Sequence, residues 1–115
     1  MANNYFEFKQ FTVHQEHAPF KVTTDSVLIG AWARLEGAKR ILDIGTGTGI
    51  LAFMAAQRTD ADIVAIEPEP ASYMQAGLNI ADSKWHDRIT LVNIDLQSYF
   101  PGDDLLFDAI ITNPP

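Results

Sequence analysis

The sequence predicts an α/β fold built on a parallel β-sheet. From residue 39 onward, short apolar segments of strand length alternate with segments of helical periodicity, which is the arrangement of βαβ units. A glycine-rich turn follows the first of these strands. The 115 residues are 47% hydrophobic and 20% charged, an ordinary globular mixture. We therefore expect a doubly wound parallel sheet (residues 39–115) with helices on both faces, preceded by an N-terminal strand and helix cap (residues 1–38).

The N-terminal cap carries two kinds of element. Apolar and polar residues alternate over residues 5–15, which predicts one or two short strands that can pair as a hairpin. A helix is predicted over residues 26–35, with Thr24 or Asp25 as its N-cap and Gly37 as its end. The face predicted to pack inward carries Val27, Leu28, Ala31 and Leu35.

The second unit alternates strands with helices. Strands are predicted over residues 40–44, 63–66, 89–94 and 107–112. Helices are predicted over residues 50–58 and 70–81, and Pro70 suits the first turn of the second helix.

Charge is divided unevenly along the chain. The formal net charge is −7, of which residues 1–40 contribute +1 and residues 41–115 contribute −8. Such an acidic unit repels phosphate backbones, so any contact with nucleic acid is expected from the first 40 residues or from outside this chain. Cysteine is absent, which excludes disulfides and thiol nucleophiles. Without a signal-peptide pattern or a membrane-spanning apolar run, we expect a soluble cytoplasmic protein.

The glycine-rich turn indicates a ligand site. Three glycines at alternate positions let a ligand approach the main chain, and the following helix N-terminus favours a polar or anionic group. A plain strand–helix turn is the alternative, although one glycine would suffice for it. The spacing is G-x-G-x-G, whereas the dinucleotide fingerprint is G-x-G-x-x-G, which weighs against an NAD-dependent dehydrogenase. The motif consists of Asp43, Gly45, Thr46, Gly47 and Gly49.

This arrangement resembles the S-adenosylmethionine-binding turn of the class I methyltransferases, which have a Rossmann-like fold. The resemblance implies that Asp43 accepts from the cofactor's ammonium group. Glu67, at the end of the next strand, suits hydrogen bonding to two ribose hydroxyls, with a solvated loop acid as the alternative. Asp95 would accept from the adenine amino group beside the Leu96 amide; a helix N-cap is the competing interpretation of Asp95.

The last predicted strand runs into Asn113-Pro114-Pro115. Prolines cannot extend a central strand, so the chain leaves the sheet at its carboxyl edge, where α/β folds bind ligands. The motif resembles the Asn-Pro-Pro-aromatic motif of methyltransferases that act on a planar nitrogen, which implies catalytic positions for all three residues. A structural turn is the alternative.

The two N-terminal stretches 8–15 and 21–32 closely resemble the bacterial tRNA adenine-N6-methyltransferases, which modify an adenine in a valine tRNA. The resemblance spans nearly the whole chain and implies that Lys21 and Thr24 lie over the cofactor. A helix cap under a loop is the alternative for these residues. Methyltransferases for a release-factor glutamine or an rRNA guanine N2 share the Asn-Pro-Pro motif and remain alternatives, as does a non-catalytic cofactor-binding module.

The sequence departs from that family at one place. The family places an aromatic residue after the second proline, and no residue follows Pro115 here. We therefore expect the N-terminal portion of a methyltransferase, inactive by itself, whose last strand is an exposed apolar edge open to self-association. The segment His14-Gln15-Glu16-His17 lacks a third ligand, so no metal site is predicted.

Overall fold

The computed structural model describes residues 5–8, 10–18, 22–100, 102 and 106–114. The elements follow the chain in the order β1 (Tyr5–Glu7), β2 (Thr12–His14), α1 (Thr24–Trp32), β3 (Arg40–Ile44), α2 (Ile50–Arg58), β4 (Asp62–Ile66), α3 (Pro70–Ala81), β5 (Ile89–Val92) and β6 (Ala109–Thr112). The predicted hairpin is confirmed as the antiparallel pair β1–β2. Helices α2 and α3 begin and end where the sequence predicts.

Four parallel strands form the main sheet in the order β5-β4-β3-β6. The chain steps outward from β3 to β4 to β5 and then crosses back to the other side of β3. The gap between the carboxyl ends of β3 and β6 is therefore the point where strand order reverses, and open α/β sheets bind their ligands at such points. This topology confirms the predicted α/β class.

The helices α2 and α3 lie on one face of the sheet, because right-handed crossovers that step in one direction place their helices together. Their buried residues share one core with Ile41, Ile63, Ala65 and Ile89. The opposite face carries the alternate strand residues Leu42, Ile44, Val64, Ile66, Val92 and Ile110, which stand outside that core. The expectation of helices on both faces is therefore not met within the described residues.

The prediction for α1 is wrong at both ends. Thr23 is the N-cap: its hydroxyl accepts from the Ser26 amide, and the Ser26 hydroxyl accepts from the Thr23 amide. The helix ends at Trp32, well before Gly37. Two members of the predicted inward face, Leu28 and Ala31, are exposed.

Helix α1 instead packs through Gly30, whose missing side chain leaves room for Met54 of α2. The C-terminal end of α1 is bonded to Arg58 of α2, whose guanidinium donates to the carbonyls of Gly30 (2.8 Å) and Ala33 (2.6 Å). Helix α1 thus depends on α2 for both packing and end contacts.

The last two strands are shorter than predicted. The strand β5 ends at Val92, because the next side chain, Asn93, turns back and donates to the carbonyl of Glu67 over 2.8 Å. The strand β6 begins at Ala109, since Asp108 accepts from the amides of Lys39 and Arg40 and forms the loop that precedes it.

Candidate functional site

The glycine-rich turn leaves the carboxyl end of β3 and is bonded to the neighbouring strand. The amides of Gly45 and Thr46 both donate to the carbonyl of Ile66, over 2.9 and 3.0 Å. Gly45 and Gly47 have positive φ angles of 69° and 57°, and a Cβ built on either would meet no atom within 4 Å. The backbone at these two positions is therefore open to an approaching ligand.

Asp43 lies beneath this turn and is fully buried, with 0% of its surface exposed. Its Oδ2 accepts from the Thr46 hydroxyl over 2.7 Å, whereas its Oδ1 has no hydrogen-bond donor among the described residues. Burial raises the pKa of Asp43 to about 7; the Thr46 hydroxyl and the nearby Ala52 amide lower it, and the negative charge of Glu67 adds to the rise. The described residues thus leave one oxygen of the Asp43 carboxyl group without a donor, and a cationic group of a ligand could bind that oxygen.

Glu67 is 7% exposed, so the alternative of a solvated loop acid is wrong. Its Oε1 accepts from the Gly47 amide over 2.8 Å, and its Oε2 accepts from the Glu69 amide over 3.0 Å. The carboxylate is thus fixed in orientation by the turn on one side and by the start of α3 on the other. Each oxygen keeps a second lone pair, so the group can still accept from two hydroxyls.

Asp95 and Leu96 follow β5, the strand beside β4, and are both exposed. The Asp95 Oδ1 accepts from the Ser98 amide over 2.8 Å, which closes a turn over residues 96–98. No helix begins there among the described residues, so Asp95 is not a helix N-cap. Its side chain caps a turn instead. Because β4 and β5 are parallel neighbours, Asp95 and Glu67 follow strands that end at the same edge of the sheet.

Asn113 and Pro114 reach this edge from the other side of β3. Thr112 is level with Ile44 in the parallel register, and its hydroxyl donates to the Ile44 carbonyl over 2.9 Å. Asn113 therefore follows β6 at the level where Gly45 follows β3, across the point where strand order reverses. Asn113 is partly buried and Pro114 is exposed, whereas Pro115 lies outside the described residues.

The N-terminal candidates are only partly described. Thr24 is the first residue of α1, and Lys21 lies outside the described residues. The cap Thr23 was missed, although the Thr23–Ser26 spacing is a capping-box signal. The part of the chain that the structure describes holds no group of three or more His, Asp or Glu side chains placed for a metal ion. Nor does any described helix have the length and apolarity needed to cross a membrane.

Two further buried polar residues lie on α3, and one of them contacts the turn. Gln75 and Asn79 are buried on α3, and the Asn79 Nδ2 donates to the carbonyl of Thr48 over 2.8 Å. Sequence reasoning missed both, yet their i, i+4 spacing on a face with Ala76 and Ile80 carries a signal, because an inward face is expected to be apolar.

The edge as a whole combines a turn with open space at Gly45 and Gly47, a buried carboxylate with a free acceptor, a second oriented carboxylate and an amide side chain across the gap. Such a set can hold a ligand that bears a cation and vicinal hydroxyls and present it to Asn113.

The comparisons with known proteins agree with this geometry. The sequence model of the methyltransferase domain family matches residues 41–114. A protein of Bacteroides thetaiotaomicron named tRNA1(Val) (adenine(37)-N6)-methyltransferase is 54% identical over 100% of this chain and 48% of its own length. A protein of Parabacteroides distasonis with the same name is 47% identical over 100% and 48%. The chain thus spans about half the length of these curated relatives.

Solved structures share the fold. A 16S rRNA guanine-N2 methyltransferase from T. thermophilus, solved with AdoMet and guanosine, aligns with a TM-score of 0.70 at 25% identity, over 91% of this chain and 30% of that one. TYW2 from P. horikoshii, solved with MeSAdo, aligns at 0.68 and 20% identity, over 83% and 37%. The fold is that of the Rossmann-like methyltransferases, and with nearly two-thirds of its residues matched the chain belongs to the methyltransferase domain family.

Proposed function

We propose that this chain binds S-adenosylmethionine at the carboxyl edge of its sheet and serves methyl transfer to the N6 of an adenine in tRNA. The observation that carries the proposal is the Thr112–Ile44 hydrogen bond of 2.9 Å, which sets Asn113 beside the glycine-rich turn. The name shared by the 54% and 47% identical relatives supports the choice of tRNA. A tRNA substrate also supports a cytoplasmic location.

The residues present fit the cofactor. The free Oδ1 of buried Asp43 suits an ammonium group, reached directly or through water. The backbone of Gly45, Thr46, Gly47 and Gly49 suits the methionine part, while the Glu67 carboxylate suits the ribose hydroxyls. In the proposal Asp95 accepts from the adenine amino group and the Leu96 amide donates to the ring. The resemblance further assigns Lys21 and Thr24 to cofactor binding, with Thr24 near the methionine end.

The bound cofactor supplies an electrophilic sulfonium methyl group. The chain's part in the proposed reaction is to position the target amine. The Asn113 side-chain oxygen and the Pro114 carbonyl accept from its two N–H bonds, which draws the conjugated nitrogen towards tetrahedral geometry. The residue before a proline favours an extended backbone, so the sequence Asn113-Pro114-Pro115 favours an extended conformation at Asn113 and Pro114. Positioning of this kind contributes ~7–11 kcal/mol in favourable cases, and no general base is required before attack.

Cofactor binding is tested by calorimetry of the 115-residue chain with S-adenosylhomocysteine. Heat of binding that is lost in Asp43→Ala and retained in Asp60→Ala supports the proposal, because Asp60 is an exposed acid that precedes β4 at the opposite edge of the sheet. Absence of heat at millimolar ligand contradicts it.

The substrate is tested with the protein encoded by the gene that contains this chain, by methyl uptake into valine tRNA, rRNA and release factor in separate reactions. Uptake into rRNA or release factor alone favours the corresponding alternative.

We also propose that the chain self-associates through β6. Among the described residues β6 pairs only with β3, and Ile110 is 61% exposed on the face without helices. Sedimentation should show a concentration-dependent dimer that Ile110→Lys shifts to monomer. A monomer at all concentrations contradicts this proposal and leaves the proposal for methyl transfer unaffected.

A further inference from the structure

The buried face of α3 carries two carboxamides one helical turn apart. Gln75 is 0% exposed and Asn79 is 2% exposed, between the small or apolar residues Ser72, Ala76 and Ile80. A face that only needed to pack against the core would be apolar at both positions. The hydrogen bonds of the two amides therefore show what each of them does.

Asn79 joins the N-terminal segment, defined here as residues 14–18, to the glycine-rich turn. Its Oδ1 accepts from the His14 amide over 2.9 Å, and its Nδ2 donates to the His14 carbonyl over 2.8 Å. The same Nδ2 donates to the Thr48 carbonyl over 2.8 Å. With both donors and its acceptor engaged, one side chain holds β2 on one side and the turn on the other.

Gln75 holds the same segment one helical turn earlier on α3. Its Oε1 accepts from the His17 amide over 2.8 Å, whereas its buried Nε2 has no acceptor among the described residues. An orphaned buried donor destabilises a fold, and the hydrogen bond to His17 offsets this cost of burying Gln75. The Gln15 side chain, in the same segment, accepts from the Val22 amide over 3.0 Å. This hydrogen bond connects the segment to the residues that immediately precede α1.

We infer that Gln75 and Asn79 are positioning residues that couple ligand binding at the glycine-rich turn to the ordering of the N-terminal segment. A ligand that fixes the turn fixes the Thr48 carbonyl, and through Asn79 it fixes His14. In the other direction, a docked N-terminal segment pre-organises the turn and raises its affinity for ligand. The inference rests on the proposed function for the identity of the ligand, while the link between turn and segment rests on the three hydrogen bonds of Asn79 alone.

The link is tested without ligand by hydrogen exchange of the 115-residue chain. In Asn79→Ala, exchange should speed up at the His14 amide and also at the Gly49 amide, which closes the turn by donating to Thr46. The Ile63 amide, bonded to Arg88 in the sheet, reports global opening and serves as the internal reference. Ile80→Ala, in the core on the same helix, is the control for lost stability. Unchanged Gly49 exchange relative to this control overturns the inference.

The consequence for binding is tested with S-adenosylhomocysteine. Gln75→Leu removes the orphaned donor and also the acceptor of the His17 amide, two opposing effects on stability, so its melting temperature should stay close to that of the wild type. Its Kd should rise about tenfold, the value of one hydrogen bond. A purely structural role would not weaken binding in a variant of equal stability. An unchanged Kd in both Gln75→Leu and Asn79→Ala overturns the inference. If the wild-type chain shows no binding, the proposed function fails, and the exchange experiment alone decides the link.

Discussion

The Gly47 amide donates to the Oε1 of Glu67 over 2.8 Å, so the acid at the end of β4 is bonded to the glycine-rich turn of β3. Glu67, the residue proposed to bind ribose, therefore also stabilises the turn that is proposed to bind the methionine part. The two halves of the proposed cofactor site share one carboxylate, and changes to it should affect both stability and affinity.

Glu67→Ala should lower both the melting temperature and the affinity for S-adenosylhomocysteine. It removes the acceptors of two backbone amides and, in the proposal, those of two hydroxyls. We expect Kd to rise at least about tenfold, as for a lost hydrogen bond to a charged group. Glu69→Ala is the matched control, because within the described part of the chain the Glu69 side chain accepts only from the first turn of α3. Calorimetry and thermal melts on both variants decide; an equal loss of affinity in the control would contradict the assignment of Glu67.

Asp43 should make the chain less stable as the pH rises from about 4 to about 7. Its pKa is about 7 in the folded chain, against an ordinary value of 3.8, so the folded state keeps a proton that the unfolded state has released over this interval. The free energy of unfolding then falls by an amount on the order of 4 kcal/mol at most and is level above pH 7. Asp43→Asn should lack this fall. Urea titrations at pH 4.5, 5.5, 6.5 and 7.5 measure it, and parallel curves for variant and wild type would contradict the raised pKa.

Gly47→Ala should weaken ligand binding more than it weakens the fold. A side chain at a φ of 57° is strained by about 1 kcal/mol, and the new methyl group would stand in the open space proposed for the cofactor. Gly37→Ala provides a matched control, because Gly37 has a φ of 79° and equally open surroundings outside the site. The two variants should melt at similar temperatures, and only Gly47→Ala should lose affinity for S-adenosylhomocysteine. Equal affinities would argue against a ligand at the turn.

Thr112→Val should loosen the link between β6 and the glycine-rich turn. The valine keeps the shape of threonine but cannot donate to the Ile44 carbonyl, which costs about 1 kcal/mol. Thr112→Ser retains the hydroxyl and should recover most of that loss. Denaturant unfolding of the two variants measures the difference, and equal stabilities would show that the hydrogen bond contributes nothing.

The elements that the sequence predicted best are those whose signals are local. Helix α3 begins at its proline and ends where its periodicity ends, and α2 follows directly from the last glycine of the turn. The start of α1 was wrong because Thr23, Thr24 and Asp25 are all good caps, and the reciprocal bonds with Ser26 decide between them. The end of β5 and the start of β6 were wrong because Asn93 and Asp108 bind backbone groups that are distant in sequence, beside β4 and β3.

In the candidate site, residue types were predictable and their mutual contacts were not. Motif spacing placed Asp43, Glu67 and Asn113 at strand ends, and parallel topology brings such ends to one edge. The double engagement of Glu67 depends on how the turn folds back towards β4, which no local pattern encodes. The amides of Gln75 and Asn79 act on a segment about 60 residues away in sequence, so their role becomes visible only in three dimensions.

The Arg58 contacts to the end of α1 bear on the order in which the chain folds. Helix α1 has nine residues and no basic residue in its last turn, so it is too short to persist by itself in water. The donors at its C-terminus arrive only when α2 has formed and docked. A peptide of residues 22–37 should therefore be unordered by circular dichroism, and helix α1 should appear during folding only after the β3–α2–β4 unit has been assembled.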